Sequence, residues 1–263
     1  MPVAEPQQTP GHKYAFHIED DWKPGSEPAR GNSTAWPQNV KYRVGSISKY
    51  LSGRWLDFGC ADGGYTDGIL HAGASSVVGV DLELDRIEEA RRRGYPPEVA
   101  DFQAFDGVVL PFPDSSFDGA FVNEVMEHVA DERQSLEELR RVIKPGGHLV
   151  VISPNRWFPF EGHTVRIGKW ISPFPTPLIP WLPTRLTNAW VDARNYWPFE
   201  LSNLVESGGF SIVERSFIWP VFEVCPWLPA SWITFYQRHI TLFSRIPVLR
   251  RFGVSNLIVG LRN

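Results

Sequence analysis

The 263-residue sequence has few of the features that mark a secreted, metal-cluster or membrane-spanning protein. Its two cysteines, Cys60 and Cys225, lie far apart and form no metal-binding or redox spacing, which favours a reducing cytoplasm. No uninterrupted apolar stretch is long enough to span a bilayer, and the N-terminus lacks the pattern of a signal peptide. The net charge of -4 and pI near 6.0 give the whole chain no general attraction for nucleic acid or an anionic membrane. These absences favour a small, neutral-polar molecule as the partner.

The middle of the chain alternates between apolar strand-like runs and amphipathic helical segments. Residues 1–35, rich in proline, glycine and charge, predict a flexible N-terminal arm, and residues 36–263 predict a single domain. The predicted strands are 54–58, 76–80, 98–104, 117–122 and 148–153, and the predicted helices are 36–51, 65–72, 85–93 and 131–143. Such alternation predicts a Rossmann-like α/β fold with a mostly parallel sheet.

The pattern changes after residue 153. Residues 154–197 are dense in proline and tryptophan without a sustained period, which predicts a lid or binding segment. Regular structure returns with a predicted helix over 200–207, a strand over 210–217 and a last strand over 255–261. Two cap insertions are therefore expected, at about 154–197 and 218–253.

The first predicted strand ends in the loop Asp57-Phe58-Gly59-Cys60-Ala61-Asp62-Gly63-Gly64. Glycines at this position let a ligand approach the backbone and open the next helix, as in dinucleotide-binding proteins. Asp81 ends the second strand, where a carboxylate accepts both ribose hydroxyls, and Asp106 follows the third, where it could accept the adenine amine. The negative charge of Asp57 would attract an ammonium group of the ligand. A site for a negatively charged pyrophosphate would gain little from the same charge.

Four strings together resemble class I S-adenosylmethionine-dependent methyltransferases, in the group that includes enzymes of ubiquinone biosynthesis. They are Leu56 to Gly63, Val78-Gly79-Val80-Asp81, Leu110-Pro111-Phe112-Pro113-Asp114-Ser115-Ser116-Phe117-Asp118 and Arg141-Val142-Ile143-Lys144-Pro145-Gly146-Gly147. The resemblance covers residues 54–153, with a weaker echo over 198–217 and 255–261. It implies a seven-stranded, mostly parallel sheet with an antiparallel last hairpin. It also implies an S-adenosylmethionine site formed by Asp57, Gly59, Cys60, Ala61, Gly63, Asp81, Leu82, Asp106, Gly107 and Asn123.

Two positions depart from the pattern of that family. Ala61 replaces the usual middle glycine, a small change that should still fit. Phe105 stands where many relatives have a glycine before the acid, so the adenine contact of Asp106 is less secure than the ribose contact of Asp81.

A cluster of acids and histidines follows the fourth predicted strand. Glu124, Glu127 and His128 stand at i, i+3 and i+4, which would place them on one helix face. The spacing resembles that of metal-dependent methyltransferases acting on small-RNA 3′-termini and ubiquinone precursors. That resemblance implies Mg²⁺, or Mn²⁺, held by Glu124, Glu127, His128 and His163, with Glu127, His128 and His163 as the catalytic residues. Without a metal, His128 or His163 would be the general base, and the sequence leaves both alternatives open.

The aromatic segments bear on the acceptor. Eight of the eleven tryptophans follow residue 153, and exposed aromatic rings suit sugars, quinones or phenols. A sugar hydroxyl is the preferred acceptor, since the chain also resembles actinobacterial sugar O-methyltransferases of methylated polysaccharide synthesis; a quinone or phenol is the alternative. Residues 232–251 mix aromatics with arginines, which could contact a membrane surface or a partner subunit such as a second copy. A nicotinamide-dependent dehydrogenase and a non-catalytic scaffold are the remaining alternatives, and the intact acids argue against a scaffold.

Overall fold

Seven strands form one central sheet in the computed structural model, which describes residues 38–172, 176–191, 193–220, 230–246 and 248–263. The predicted arm over residues 1–35 lies outside these residues. The strands are β1 (Arg54–Phe58), β2 (Ser76–Asp81), β3 (Ala100–Ala104), β4 (Phe117–Asn123), β5 (Ile143–Pro154), β6 (Phe210–Ile218) and β7 (Ser255–Arg262). Their spatial order is β6-β7-β5-β4-β1-β2-β3.

The pairing within this sheet is parallel except at one edge. β3, β2, β1, β4 and β5 all run parallel, whereas β7 is antiparallel to both β5 and β6. The predicted Rossmann-like sheet with an antiparallel last hairpin is confirmed. The order of strands diverges on either side of β1, so the carboxyl ends of β1 and β4 border the crevice where ligands bind in such sheets.

The central strands are apolar almost throughout because helices cover both faces of the sheet. Trp55, Phe117 and Phe121 are completely buried. Gly119 on β4 makes room for the Trp55 ring on β1, since a Cβ there would lie 2.5 Å from Trp55 Cζ2. This close packing fixes the register of the two strands whose ends carry the candidate site.

The helices are α1 (Gln38–Ile47), α2 (Gly64–His71), α3 (Leu84–Arg91), α4 (Glu132–Val142), α5 (Thr184–Thr187), α6 (Pro198–Ser207) and α7 (Ala230–Arg245). Asp131 caps the N-terminus of α4, because its Oδ1 accepts from the backbone N–H groups of Arg133 at 2.9 Å and Gln134 at 3.0 Å. α7 was not predicted from the sequence. Within the described residues, no helix is long and apolar enough to cross a membrane.

The described residues between β5 and α6 form a small layer of their own. Phe160–Glu161 pairs with Thr176–Pro177, and Arg166–Ile167 pairs with Trp170–Ile171. Val165, Ile179 and Val191 form a separate apolar cluster beneath this layer. Two backbone hydrogen bonds fasten its far end to the sheet: Arg194 N–H donates to Glu127 O at 3.2 Å, and Tyr196 N–H donates to Pro154 O at 3.1 Å.

Candidate functional site

The glycine loop after β1 packs directly against the segment that follows β4. Gly59 has φ +80°, and a Cβ at this position would lie 2.3 Å from Val125 Cγ2. Gly63, with φ +81°, precedes α2, and a Cβ there would meet the Phe102 ring at 2.9 Å. Glycine is required at both positions by the backbone conformation and by the lack of space. The predicted cofactor loop and the acid–histidine segment are therefore neighbours.

Ala61 and Asp81 are joined by a hydrogen bond. Ala61 N–H donates to Asp81 Oδ2 at 2.9 Å, and Glu83 N–H donates to Asp81 Oδ1 at 3.0 Å. Each carboxylate oxygen keeps a second lone pair, which can accept a ligand hydroxyl. Ala61 has φ +48°, the left-handed region that glycine adopts easily, so the alanine that replaces the usual glycine fits at a small conformational cost.

Asp106, Gly107 and Leu82 form the rim next to Asp81. Asp106 Oδ1 accepts from Val108 N–H and Val109 N–H at 2.9 and 3.1 Å, and these bonds lower the pKa of its exposed carboxyl. Gly107, with φ +79°, lies against Leu82, since a Cβ there would be 2.9 Å from Leu82 Cδ2. The rim offers an exposed apolar side chain beside an ionised acid.

Asp57 and Cys60 lie beneath the loop. Asp57 is buried and accepts a hydrogen bond from Thr66 Oγ1 at 2.7 Å. Burial raises the pKa of Asp57 to about 7, against the opposing effect of Thr66. Burial also raises the pKa of the Cys60 thiol far above its ordinary value, so Cys60 packs in the core and is not a nucleophile.

The segment after β4 is not a helix, and the predicted common face of Glu124, Glu127 and His128 is wrong. Glu124 takes φ +53°, and the following residues form a turn in which His128 N–H donates to Val125 O at 2.9 Å. The Arg43 guanidinium on α1 sets the direction of Glu124, donating to its Oε1 at 2.6 Å. Local spacing could not show this contact, because Arg43 is 81 positions earlier in the chain.

Arg43 gathers several polar side chains from distant elements. It is buried, and it also donates to Asn123 Oδ1 at 2.7 Å and to Asn39 Oδ1 at 3.0 Å. Ser255 Oγ on β7 donates to the same Glu124 oxygen at 2.5 Å. Glu124 and Asn123 are thus held by a cation within the chain, and Glu124 is not among the residues positioned to share an added metal ion.

Glu127, His128 and His163 converge. One ligand atom from each lies within 4.8 Å of the others, and the two imidazole rings meet edge to face with centroids 5.3 Å apart. Glu127 is 1% exposed, and neither of its carboxylate oxygens has a hydrogen-bond donor among the described residues. Three of the four predicted metal ligands are therefore brought together.

A buried acid orients one of these histidines. Glu161, 1% exposed, lies 2.6 Å from His163 Nδ1 through its Oε1, and its Oε2 accepts from Asn195 Nδ2 at 2.6 Å. A carboxylate at this distance places the ring proton on Nδ1, so Nε2 is the ring nitrogen that would take a proton or a metal. Sequence reasoning missed Glu161, although its position two residues before a candidate histidine was a usable signal.

The two buried glutamates of the turn have opposite ionisation tendencies. Burial alone would raise the pKa of Glu124, but the Arg43 charge and the Ser255 hydrogen bond lower it to about 2. Burial and the neighbouring Glu124 charge raise the pKa of Glu127 well above its ordinary range. The environment therefore favours the ionised form at Glu124 and the protonated form at Glu127.

An open cleft of about 510 Å³, including solvent at its mouth, lies beside this cluster. Its lining combines aromatic rings with amide and carboxylate groups: Phe158 and Phe160 face it together with Glu161, His163 and Asn195. None of the described lining residues is a tryptophan, so the predicted link between the tryptophans and the acceptor is not seen here. Trp157 instead packs edge to face on Trp197, with centroids 5.1 Å apart.

A family model and several curated proteins match the chain. A family model described as "Methyltransferase domain" matches residues 56–151. The 27-O-demethylrifamycin SV methyltransferase of Amycolatopsis mediterranei is 33% identical over 111 residues, 41% of each chain. The 2-methyl-6-phytyl-1,4-hydroquinone methyltransferase of Synechocystis is 29% identical over 178 residues, 67% of this chain and 52% of the relative. The chain thus spans about half the length of the curated relatives it matches.

A solved S-adenosylmethionine-dependent methyltransferase from Mesorhizobium loti has the same fold, with a TM-score of 0.57 and 21% identity, over 85% of this chain and 98% of that one. The sheet topology and the glycine loop are therefore those of the Rossmann-like fold seen in that structure. The family match over residues 56–151, the curated relatives and the shared fold together support a class I S-adenosylmethionine-dependent methyltransferase.

Proposed function

We propose that the chain transfers the methyl group of S-adenosylmethionine to a hydroxyl oxygen of a small acceptor bound in the cleft. The observation that carries the proposal is the Glu161–His163 pair beside His128 and Glu127, next to the cofactor loop. This arrangement can remove a hydroxyl proton, which an acceptor oxygen must lose. We further propose that residues 36–263 act as one domain with two cap insertions, in a reducing cytoplasm.

The residues of the loop and rim fit the cofactor. Gly59 and Gly63 leave a backbone surface free of side chains, Asp81 retains lone pairs for ribose hydroxyls, and Leu82 offers an apolar contact for adenine. Asp57 is a buried acid with a raised pKa, which an adjacent ammonium would return to the charged form. When bound, S-adenosylmethionine supplies an electrophilic methyl group on a sulfonium.

In the simplest route, His163 is the general base. Glu161 holds its Nδ1 proton, so Nε2 can accept the acceptor's hydroxyl proton as the oxygen forms its bond to the methyl carbon. The carbon–sulfur bond breaks, its electron pair remains on sulfur, and the products are the methyl ether and S-adenosylhomocysteine. His128, whose ring contacts that of His163, helps to enclose the base.

A bound divalent cation is the alternative role for the same residues. The unpartnered buried carboxylate of Glu127 and the two imidazoles fit a cation, which would lower the pKa of an acceptor hydroxyl. The predicted set had two carboxylates. Because Arg43 forms an ion pair with Glu124, the metal ligands would be two imidazoles and one carboxylate. That set suits Mn²⁺ better than Mg²⁺.

The acceptor class follows from the cleft. Phe158 and Phe160 can contact the C–H face of a sugar, while Glu161 and Asn195 border them with polar groups. A quinol or phenol is the second candidate, supported by the aromatic lining and by the hydroquinone methyltransferase among the relatives.

One assay separates these alternatives. Release of S-adenosylhomocysteine would be measured against pooled sugars, phenols and quinols, with and without a strong chelator. Turnover that stops with chelator and returns with Mn²⁺ supports the metal; turnover unaffected by chelator but lost in His163→Ala supports the base. Both roles predict that Glu161→Gln lowers kcat while S-adenosylhomocysteine affinity stays the same. No turnover with any pool, despite cofactor binding, would contradict the proposed acceptor classes.

A further inference from the structure

The C-terminal part of the chain carries charge opposite to that of the whole. Residues 224–263 contain five arginines and no lysine, aspartate or glutamate, although the net charge of the chain is -4. Arg238, Arg250 and Arg251 are exposed. These arginines therefore form a positive region of the surface, although the net charge of the whole chain is negative.

α7 adds an apolar row to this positive surface. Trp232, Phe235, Leu242 and, just beyond the helix, Ile246 are large apolar side chains exposed by 65%, 55%, 57% and 40%. At about 100° per residue these positions fall within about 80° of arc, so they share one face. Val248 continues the row and is likewise exposed.

Other side chains of α7 hold the helix to the fold. Ile240 is buried, and the Tyr236 hydroxyl donates to Pro220 O at 2.8 Å. The apolar row is therefore not the side by which α7 packs within the chain. Its exposure needs another explanation, because a contiguous apolar face on a monomer commonly marks an interaction surface.

This surface leads to the acceptor cleft. The 3₁₀ turn Leu249–Phe252 follows α7, and Asn155 Nδ2 donates to Arg251 O and Gly253 O, both at 2.7 Å. Asn155 lines the cleft, as do Val254 and Ser255 immediately after the turn. A partner seated on α7 and the turn would therefore lie near the cleft.

We propose that α7, Ile246 and residues 248–251 form a docking surface for an anionic lipid bilayer. A helix with tryptophan and phenylalanine on one face and arginines beside it lies in the headgroup region, with its apolar face at the acyl boundary. A second copy of the chain is a less favourable occupant, because a two-fold contact would bring like-charged arginines together. The inference does not depend on methyl transfer.

Cosedimentation of the full chain with vesicles tests the proposal. Binding is expected to vesicles of phosphatidylcholine mixed with phosphatidylglycerol, to be weak with phosphatidylcholine alone, and to fall with added salt. Arg250→Gln and Arg251→Gln should each weaken vesicle binding roughly fivefold. The double variant Trp232→Ser/Leu242→Ser should abolish binding.

Matched controls come from exposed residues outside α7 and the turn that follows it. Trp170→Ser removes a tryptophan that is 52% exposed in the layer between β5 and α6, and Arg92→Gln removes an exposed arginine of the region after α3. Neither should alter vesicle binding, and all variants should keep the wild-type unfolding temperature. Absent binding, or binding that the Trp232 and Leu242 changes leave intact, overturns the proposal. A dimer in solution that Trp232→Ser dissociates, without vesicle binding, would assign the surface to a second copy.

Discussion

The raised pKa of Asp57 predicts a pH-dependent cofactor affinity with a defined magnitude. Only the ionised carboxylate attracts the ammonium of S-adenosylhomocysteine, and with a pKa of about 7 it is mostly protonated below neutral pH. Because the apparent Kd scales inversely with the competent fraction, affinity should be about 25-fold weaker at pH 5.5 than at pH 7.5. Isothermal titration calorimetry across this range measures the slope.

Two controls isolate the Asp57 carboxylate. 5′-Methylthioadenosine contains the adenosine but lacks the amino-acid group, so its affinity should not show the same dependence. Asp57→Asn keeps the size of the side chain and should remove the slope for S-adenosylhomocysteine. A wild-type affinity that is flat between pH 5.5 and 7.5, with the protein folded throughout, would refute the role given to Asp57.

The same ionisation affects the stability of the cofactor-free protein. The folded pKa of Asp57, about 7, lies above the ordinary value of 3.8, so the folded state binds the proton more tightly. The associated stability is fully present below about pH 4 and is lost as the pH rises through 7. Asp57→Asn should therefore unfold at a higher temperature than the wild type at pH 8 and show little gain at pH 4.

Three further predictions concern the rest of the site. Asp81→Ala should weaken S-adenosylhomocysteine binding by roughly 1.5–3 kcal/mol, and calorimetry showing unchanged affinity in a folded variant would remove Asp81 from the site. Glu127→Gln should abolish any Mn²⁺ binding. It should leave the metal-free unfolding temperature unchanged or higher, since an amide replaces a buried carboxyl with a raised pKa. A large drop in that temperature would count against a neutral Glu127. Amide exchange in residues 156–191 should slow when cofactor and acceptor bind, more than in β4 and β5, and equal protection with and without ligands would argue against a lid.

The sheet and the cofactor loop could be predicted because their signals are local. β1, β2 and β4 are short apolar runs, and the glycine loop and Asp81 follow directly from the chain order of an α/β fold. α7 was missed because its apolar residues were assigned to an irregular cap, although Trp232, Phe235 and Leu242 follow helical spacing.

The acid–histidine cluster could be predicted only in part, because distant residues determine its geometry. The chain leaves β4 with Glu124 in a left-handed conformation, and Arg43 from α1 then binds its carboxylate, so Glu127, His128 and His163 converge without it. No spacing within residues 124–128 contains this information. His163 was found from its position after β5, whereas Glu161 was overlooked although it lies only two residues before the histidine that it contacts.

The buried arginine of α1 also has a consequence for where this domain can be divided. The family model begins at residue 56, so α1 lies outside the residues that it matches. A fragment starting just before β1 would retain the glycine loop and both glutamates of the turn, yet it would leave Glu124 without its 2.6 Å guanidinium partner. A unit that keeps the charge of Glu124 paired must therefore extend beyond residues 56–151 and include α1, whose Arg43 is the counter-ion.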